Sequence, residues 1–230
     1  MANSNGELDI AGIGKVAEAI PKEGWKKAID TACDTFTDLI SPITKTTAGL
    51  GGLIQAKFDS MIDVQKVFAA DAVHRARLKS QHIEASRRIP PSARVLVSAI
   101  EEASVESDEN LRDIWANLIA NEMAVGGVHP EFPKILARLS AEDAVVLSKI
   151  AEQNSKADVK AYAKALVGSI SVMGFALADL VAKGSDAHHE HLKRLALIGK
   201  RDGNWVLTHF GEEFVGAVSD PLLVQERAIS

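Results

Sequence analysis

Cysteine is nearly absent from this 230-residue chain, with Cys33 the single one. An intramolecular disulfide is therefore impossible, and a zinc–thiolate cluster is excluded. Aromatic residues make up only 5% of the chain, whereas alanine contributes 34 residues. Alanine has the highest intrinsic helix propensity, so this balance predicts closely packed helices and argues against a sandwich or barrel. Long apolar runs are missing too. The nearest approach is an uncharged run of 14 residues from Ala165 to Ala178, bounded by Lys164 and Asp179. That is short of the roughly 18–20 residues of a membrane span, and it reads as a core helix. The start, Met1-Ala2-Asn3-Ser4-Asn5-Gly6-Glu7, has neither the basic start nor the apolar stretch of a secretory signal, which points to a cytoplasmic location. An excess of positive charge is also lacking: 26 basic against 31 acidic residues leave a net −5. Global electrostatics then oppose nonspecific attraction to nucleic acid or anionic lipid. Hydrophobic residues at 47% and charged residues at 25% are those of a globular chain and exclude a disordered one.

The pattern along the chain is helical. After a loose start over residues 1–14, ragged apolar spacing from Lys15 to Ile40, broken at Pro21 and Gly24, predicts two short helices. Pro42 can open a further helix carrying Ile43, Leu50, Leu53, Ile54 and Phe58. Gly49, Gly51 and Gly52 lie inside it and cost about 1 kcal/mol each relative to alanine. Close backbone packing is one explanation, and a segment over residues 42–58 that inserts Leu50, Leu53, Ile54 and Phe58 into a membrane is another. Asp59 to Arg88 reads as one long helix, ended by Ile89-Pro90-Pro91. Ser92 to Ala103 is the next. Ser107 or Asp108 caps a helix with Leu111, Ile114, Trp115 and Leu118 at i, i+3, i+4 and i+7, and Gly126-Gly127 closes it. Phe132, Ile135, Leu136 and Leu139 repeat the spacing after His129-Pro130. Ser140 with Asp143 forms a variant capping box for the helix carrying Val146, Leu147 and Ile150. Asp158 to Ala182 continues as a helical or mixed segment.

Beyond Lys183 the order becomes helix, hairpin, helix. Leu192, Leu195 and Ala196 mark the first helix, Asp202-Gly203 the turn of a β-hairpin, and Phe210 with Phe214 a closing helix. The expected fold is thus mainly α: a helical region over 15–139, a winged-helix-like module over 140–218 with one β-hairpin, and a tail over 219–230.

Two segments carry opposite charge. Residues 75–94 hold six basic residues (Arg75, Arg77, Lys79, Arg87, Arg88, Arg94) against Glu84, a local +5. Residues 101–122 hold seven acids against Arg112, a local −6. Either the two helices fold together and screen one another, or the basic end projects into solvent because its apolar stripe fades after Val73. The second arrangement makes Arg75, Arg77, Lys79, Arg87 and Arg88 a docking face for an acidic protein surface or a second copy of the chain.

Glu109-Asn110-Leu111-Arg112-Asp113-Ile114-Trp115-Ala116-Asn117-Leu118-Ile119-Ala120, followed by Val128-His129-Pro130-Glu131-Phe132 and Leu139-Ser140-Ala141-Glu142-Asp143-Ala144, resembles the bacterial abortive-infection alpha family. Leu192 to Ile198 and Val206-Leu207-Thr208-His209-Phe210-Gly211 are similar to its C-terminal part. The resemblance covers roughly residues 15–218, with Leu111, Ile114, Trp115, Leu118 and Phe132 as motif core. It implies a bacterial protein linked to defence against bacteriophage; for such a role the expectation is a cytoplasmic protein that can be recruited to a membrane or infection site. It implies no reaction, because the family has no agreed catalytic residues.

The residues themselves offer little chemistry. His188-His189-Glu190-His191 lacks the i, i+4 spacing of a helical metal site and any His-Glu-x-x-His arrangement. It reads as a solvated helix start capped by Asp186. Gly49-Leu50-Gly51-Gly52 lacks the Lys-Ser/Thr of a phosphate loop, Cys33 reads as a small core residue, and Glu101-Glu102 as surface. The expectation is a non-enzymatic effector or adaptor, without metal or cofactor, that acts through another defence-system protein (a sensor or recruiter) or a second copy. The alternatives are a winged-helix DNA-binding regulator using Lys193, Arg194, Lys200 and Arg201, and a membrane-disrupting effector using segment 42–58.

Overall fold

The computed structural model describes residues 49–81, 91–154 and 186–221, together with Asp30, Asp34, Phe36, Thr37 and Val159. These residues form eight helices and one antiparallel hairpin. In chain order they are α1 (Leu50–Asp59), α2 (Asp63–Ser80), α3 (Ala93–Ala103), α4 (Glu109–Ala124), α5 (Phe132–Leu136), α6 (Ala141–Asn154), α7 (Asp186–Arg194), β1 (Ile198–Arg201), β2 (Asn204–Leu207) and α8 (His209–Ala217). The mainly helical class with a C-terminal hairpin holds. Cys33, Arg87, Arg88 and the uncharged run from Ala165 to Ala178 lie outside the described residues.

Helix α4 is the central column. Leu111, Ile114, Trp115, Leu118 and Ile119 are all buried, and α2 packs on α4 in the largest helix–helix contact among the described elements. Helix α5 completes the same core with Phe132, Ile135 and Leu136, and Leu139 follows it inside. Caps predicted from sequence are in place. The Leu111 N–H donates to Asp108 Oδ1 at 3.2 Å. Before α6 the box is reciprocal: the Ser140 N–H donates to Asp143 Oδ2, and the Asp143 N–H donates to Ser140 Oγ.

Two expectations for the N-terminal half are corrected. The single helix from Asp59 to Arg88 is broken at residues 60–62. Ser60 Oγ donates to the Lys57 carbonyl at 2.7 Å, closing α1, and Gln65 Oε1 accepts from the Ile62 N–H, opening α2. Serine's ability to compete for helix carbonyls is the physical cause. The apolar stripe of α2 also does not end at Val73. It continues through Ala76, which is fully buried as part of a run with Ala69, Ala70 and Ala72. Alanine is small and weakly apolar, so this close-packed face is inconspicuous in sequence.

The C-terminal part is pinned by a tight junction. Asp202 and Gly203 both have positive φ (51° and 80°), as a two-residue type I′ turn requires, with Ile198 opposite Leu207 and Arg201 opposite Asn204. Strand β2 packs on α6, and α7 packs on α6 and β1. Where β2 passes into α8, Thr208 caps the helix by accepting from the Gly211 N–H at 2.9 Å. Its hydroxyl donates to the Ala196 carbonyl at 2.6 Å. This brings α8 so close to the strand start that a Cβ on Gly211 would lie 2.0 Å from the Leu197 carbonyl oxygen.

Two stability outcomes follow, both read by chemical denaturation. Trp115→Ala is expected to cost about 3–5 kcal/mol and to deplete the folded protein. Gly211→Ala is expected to cost about 1–3 kcal/mol through overpacking, because the obstacle is backbone and cannot rotate away. Unchanged midpoints would refute either assignment.

Candidate functional site

Three polar residues one helical turn apart on α4 (Asp113, Asn117 and Asn121) face the end of α8. The Asn117 amide donates to the Val218 carbonyl at 3.0 Å. The Asn121 amide donates to the Ala217 and Ser219 carbonyls, both at 2.8 Å. Asp113 joins Lys79 of α2 at 3.2 Å, and the same ammonium lies 3.7 Å from Asp220. A helix C-terminus leaves its last carbonyls without intrahelical donors, and here α4 supplies them.

Glu122 is the neighbouring anchor. It is fully buried, yet its carboxylate accepts from two backbone N–H groups, those of Ser92 and of Val128, the latter at 2.9 Å. One side chain thereby fixes both the entry to α3 and the loop after α4. Burial pushes the Glu122 carboxyl above its ordinary value of 4.5, while the bonds from Ser92 and Val128 act in the opposite direction. In sequence Glu122 belongs to the acidic segment and looks solvated. The signal available was its place four residues after Leu118 on the apolar stripe, just before Gly126-Gly127.

These anchors hold the two walls of a groove of about 630 Å³. One wall is the loop from Val125 to Pro130, in which Gly126 and Gly127 take positive φ. The other is the last turns of α8 with Glu213, Gly216 and Ala217, and Asn121 and Phe132 also line it. Aromatic contacts join the walls: Phe132 meets Phe210 and Phe214 at centroid distances of 5.1 and 5.3 Å, and the His129 ring meets Phe210 edge-on at 5.2 Å. Sequence reasoning missed the groove, since its walls lie about 90 residues apart in the chain.

Among the described residues, the basic end of α2 and the acidic face of α4 meet through Lys79 and Asp113, as in the screening arrangement. Lys79 is half-buried between Asp113 and Asp220. Arg75 pairs with Asp71 at 2.9 Å, Arg77 is also partnered within the chain, and Lys57 meets Glu101 at 2.6 Å. The basic end of α2 thus does not project as a free arm. Of the membrane set, Ile54 and Phe58 are in the core, with Phe58 stacked on Phe36 at 3.8 Å; only Leu53 is exposed, and nothing is described of the Leu50 side chain. No helix among the described residues is long and apolar enough to cross a membrane. The histidines of α7 are not simply solvated. His188 Nδ1 lies 2.7 Å from Asp143 Oδ1, and His189 stacks on Trp205 at 5.1 Å, so they dock α7 onto α6 and the hairpin. Lys193, Arg194, Lys200 and Arg201 are exposed, with Lys193 beside Glu190 and Lys200 over the Trp205 ring at 4.7 Å.

The profile of the abortive infection alpha family matches residues 65–218. The chain belongs to that family. The match begins at Gln65, so α1 and the segment before it lie outside the family span, which is shorter than the resemblance drawn from residue 15. No curated protein and no solved structure matches the chain. Within the family span fall Asn117, Asn121, Glu122, Asp143 and the whole groove.

Glu122 generates a pH dependence. Folding favours its protonated form, so its contribution to stability is complete below the ordinary carboxylate value and is lost as pH rises through the folded value. Thermal melts across that window should show wild type gaining on Glu122→Gln as the pH falls. At neutral pH the variant should still be the weaker by about 1–3 kcal/mol, because an amide cannot satisfy both N–H donors equally well. Parallel melting curves at every pH would refute the assignment.

Proposed function

We propose that the protein is a non-enzymatic effector or adaptor of a bacterial antiphage defence system, acting by docking to a partner protein. Membership of the abortive infection alpha family supports the link to defence. The observation that carries the docking reading is what the polar side chains of the family span do. Asn117, Asn121 and Glu122 bond backbone groups, and Asp143 bonds the Ser140 N–H and His188. These polar side chains are thereby committed to architecture, and function falls in this reading to the surface they shape. The partner is another defence-system protein or a second copy, in the cytoplasm. The order α6, α7, hairpin, α8 serves in this reading as a winged-helix-like protein-contact module.

On α2, Arg75 pairs with Asp71 and Arg77 has a partner within the chain as well, so docking through this face exchanges those contacts for ones with an acidic partner surface and leaves the Lys79 bridge in place. Arg75→Glu with Arg77→Glu is expected to leave the circular dichroism spectrum unchanged and to lower the melting midpoint by only a few degrees, since partly exposed pairs such as Arg75 with Asp71 contribute about 0–1 kcal/mol each. In phage plating, plaque numbers on cells carrying this double variant should rise to those of cells lacking the gene. Full protection by the folded variant overturns docking through this face, and full protection in cells lacking the gene overturns the defence reading itself.

A further inference from the structure

The groove between the 125–130 loop and α8 is selective in its hydrogen-bonding chemistry. Both amide hydrogens of Asn121 are held by the Ala217 and Ser219 carbonyls, so what Asn121 can offer a ligand is its oxygen. Glu213 is the single acidic lining residue, and no lysine or arginine lines the groove. Its Oε1 lies 3.2 Å from His209 Nε2, and its side chain is half exposed, leaving the second oxygen for a ligand. The last turn of α8 lines the same wall, its Ala217, Val218 and Ser219 carbonyls already held by Asn121 and Asn117. Two acceptors, the second Glu213 oxygen and the Asn121 side-chain oxygen, thus converge on walls made apolar by Val125, Pro130 and Phe132. The one side-chain donor is His129: its Nδ1 accepts from the Glu131 N–H at 3.2 Å, so in the neutral ring Nε2 carries the hydrogen.

We infer that this groove binds a segment of a partner protein in which an arginine or lysine is flanked by apolar side chains. The cation pairs with Glu213 and the Asn121 oxygen at the end of α8, the apolar neighbours cover Val125, Pro130 and Phe132, and His129 Nε2 donates to a peptide carbonyl. Charge complementarity selects this occupant: an acidic segment would meet Glu213 with like charge, and no lysine or arginine of the lining would offset it. The walls are also preorganised, since Glu122 fixes Val128 and Asn121 fixes Ala217, which removes part of the ordering cost of binding.

The inference names the chemistry of the partner within the docking reading, and its test uses the isolated chain, so it stands or falls independently of phage plating. The probe is the blocked peptide acetyl-Leu-Arg-Leu-amide, titrated into the ¹⁵N-labelled full chain and followed by amide chemical shifts. Saturable shifts are expected at Gly126, Gly127, Val128 and Ala217. The peptide with citrulline in place of arginine should bind about tenfold more weakly, as expected for loss of a charge-assisted bond. Glu213→Gln should remove that preference, and Glu213→Arg should abolish the shifts while leaving the rest of the spectrum in place. Shifts that are absent, that fall elsewhere, or that are equal for the two peptides overturn the inference. A preference for arginine that persists in Glu213→Gln overturns it as well.

Discussion

The structure depends on how the last carbonyls of α8 are satisfied. A helix end that is buried needs donors from outside itself, and a buried carbonyl without one costs about 1–3 kcal/mol. Asn117 and Asn121 provide those donors from one face of α4, across about a hundred residues of chain. Because α4 is also the column on which α2 packs and around which Trp115, Leu118 and Ile119 are buried, the position of α8 is set relative to the whole core. Thr208 and Gly211 complete the constraint from the other end of α8, where no side chain fits against Leu197.

Glu122 extends the same logic. An ionised carboxylate in an apolar interior is costly unless hydrogen-bonded, and two backbone N–H groups offset part of that cost. The result is a loop with Gly126 and Gly127 in left-handed conformations, held against α8 with room between them. The groove is thus a by-product of two polar anchors and one aromatic cluster, not of a hole left in the core. Its outer rim offers mostly acceptors, which follows from the amide hydrogens of Asn121 being turned inward.

Charge behaves differently here from the impression its distribution gives. The basic and acidic segments are near neighbours in sequence, and the fold brings α2 onto α4 so that Lys79 sits between Asp113 and Asp220. Exposed pairs such as Lys57 with Glu101 contribute only about 0–1 kcal/mol each, so their main effect is to moderate the positive charge on this part of the surface. That is consistent with the net charge of −5 and with a docking surface of local, specific contacts.

Sequence alone determined the elements whose causes are local. The i, i+3, i+4, i+7 spacing of Leu111, Ile114, Trp115 and Leu118 marks α4 and its buried face. The caps at Asp108 and Ser140, and the Asp202-Gly203 turn, are written in three or four adjacent residues. The membership suggested by the 109–144 motif rests on such contiguous segments as well. What escaped sequence was everything decided by residues far apart. Ala76 is buried because α4 arrives beside it, and Glu122 and Asn121 look like surface residues until their backbone partners are brought to them. A polar side chain does not announce its partner, since the identity of a distant carbonyl or N–H is not encoded in the residues beside it. Only the tertiary structure could place Glu213 across from His129 and make a groove between them.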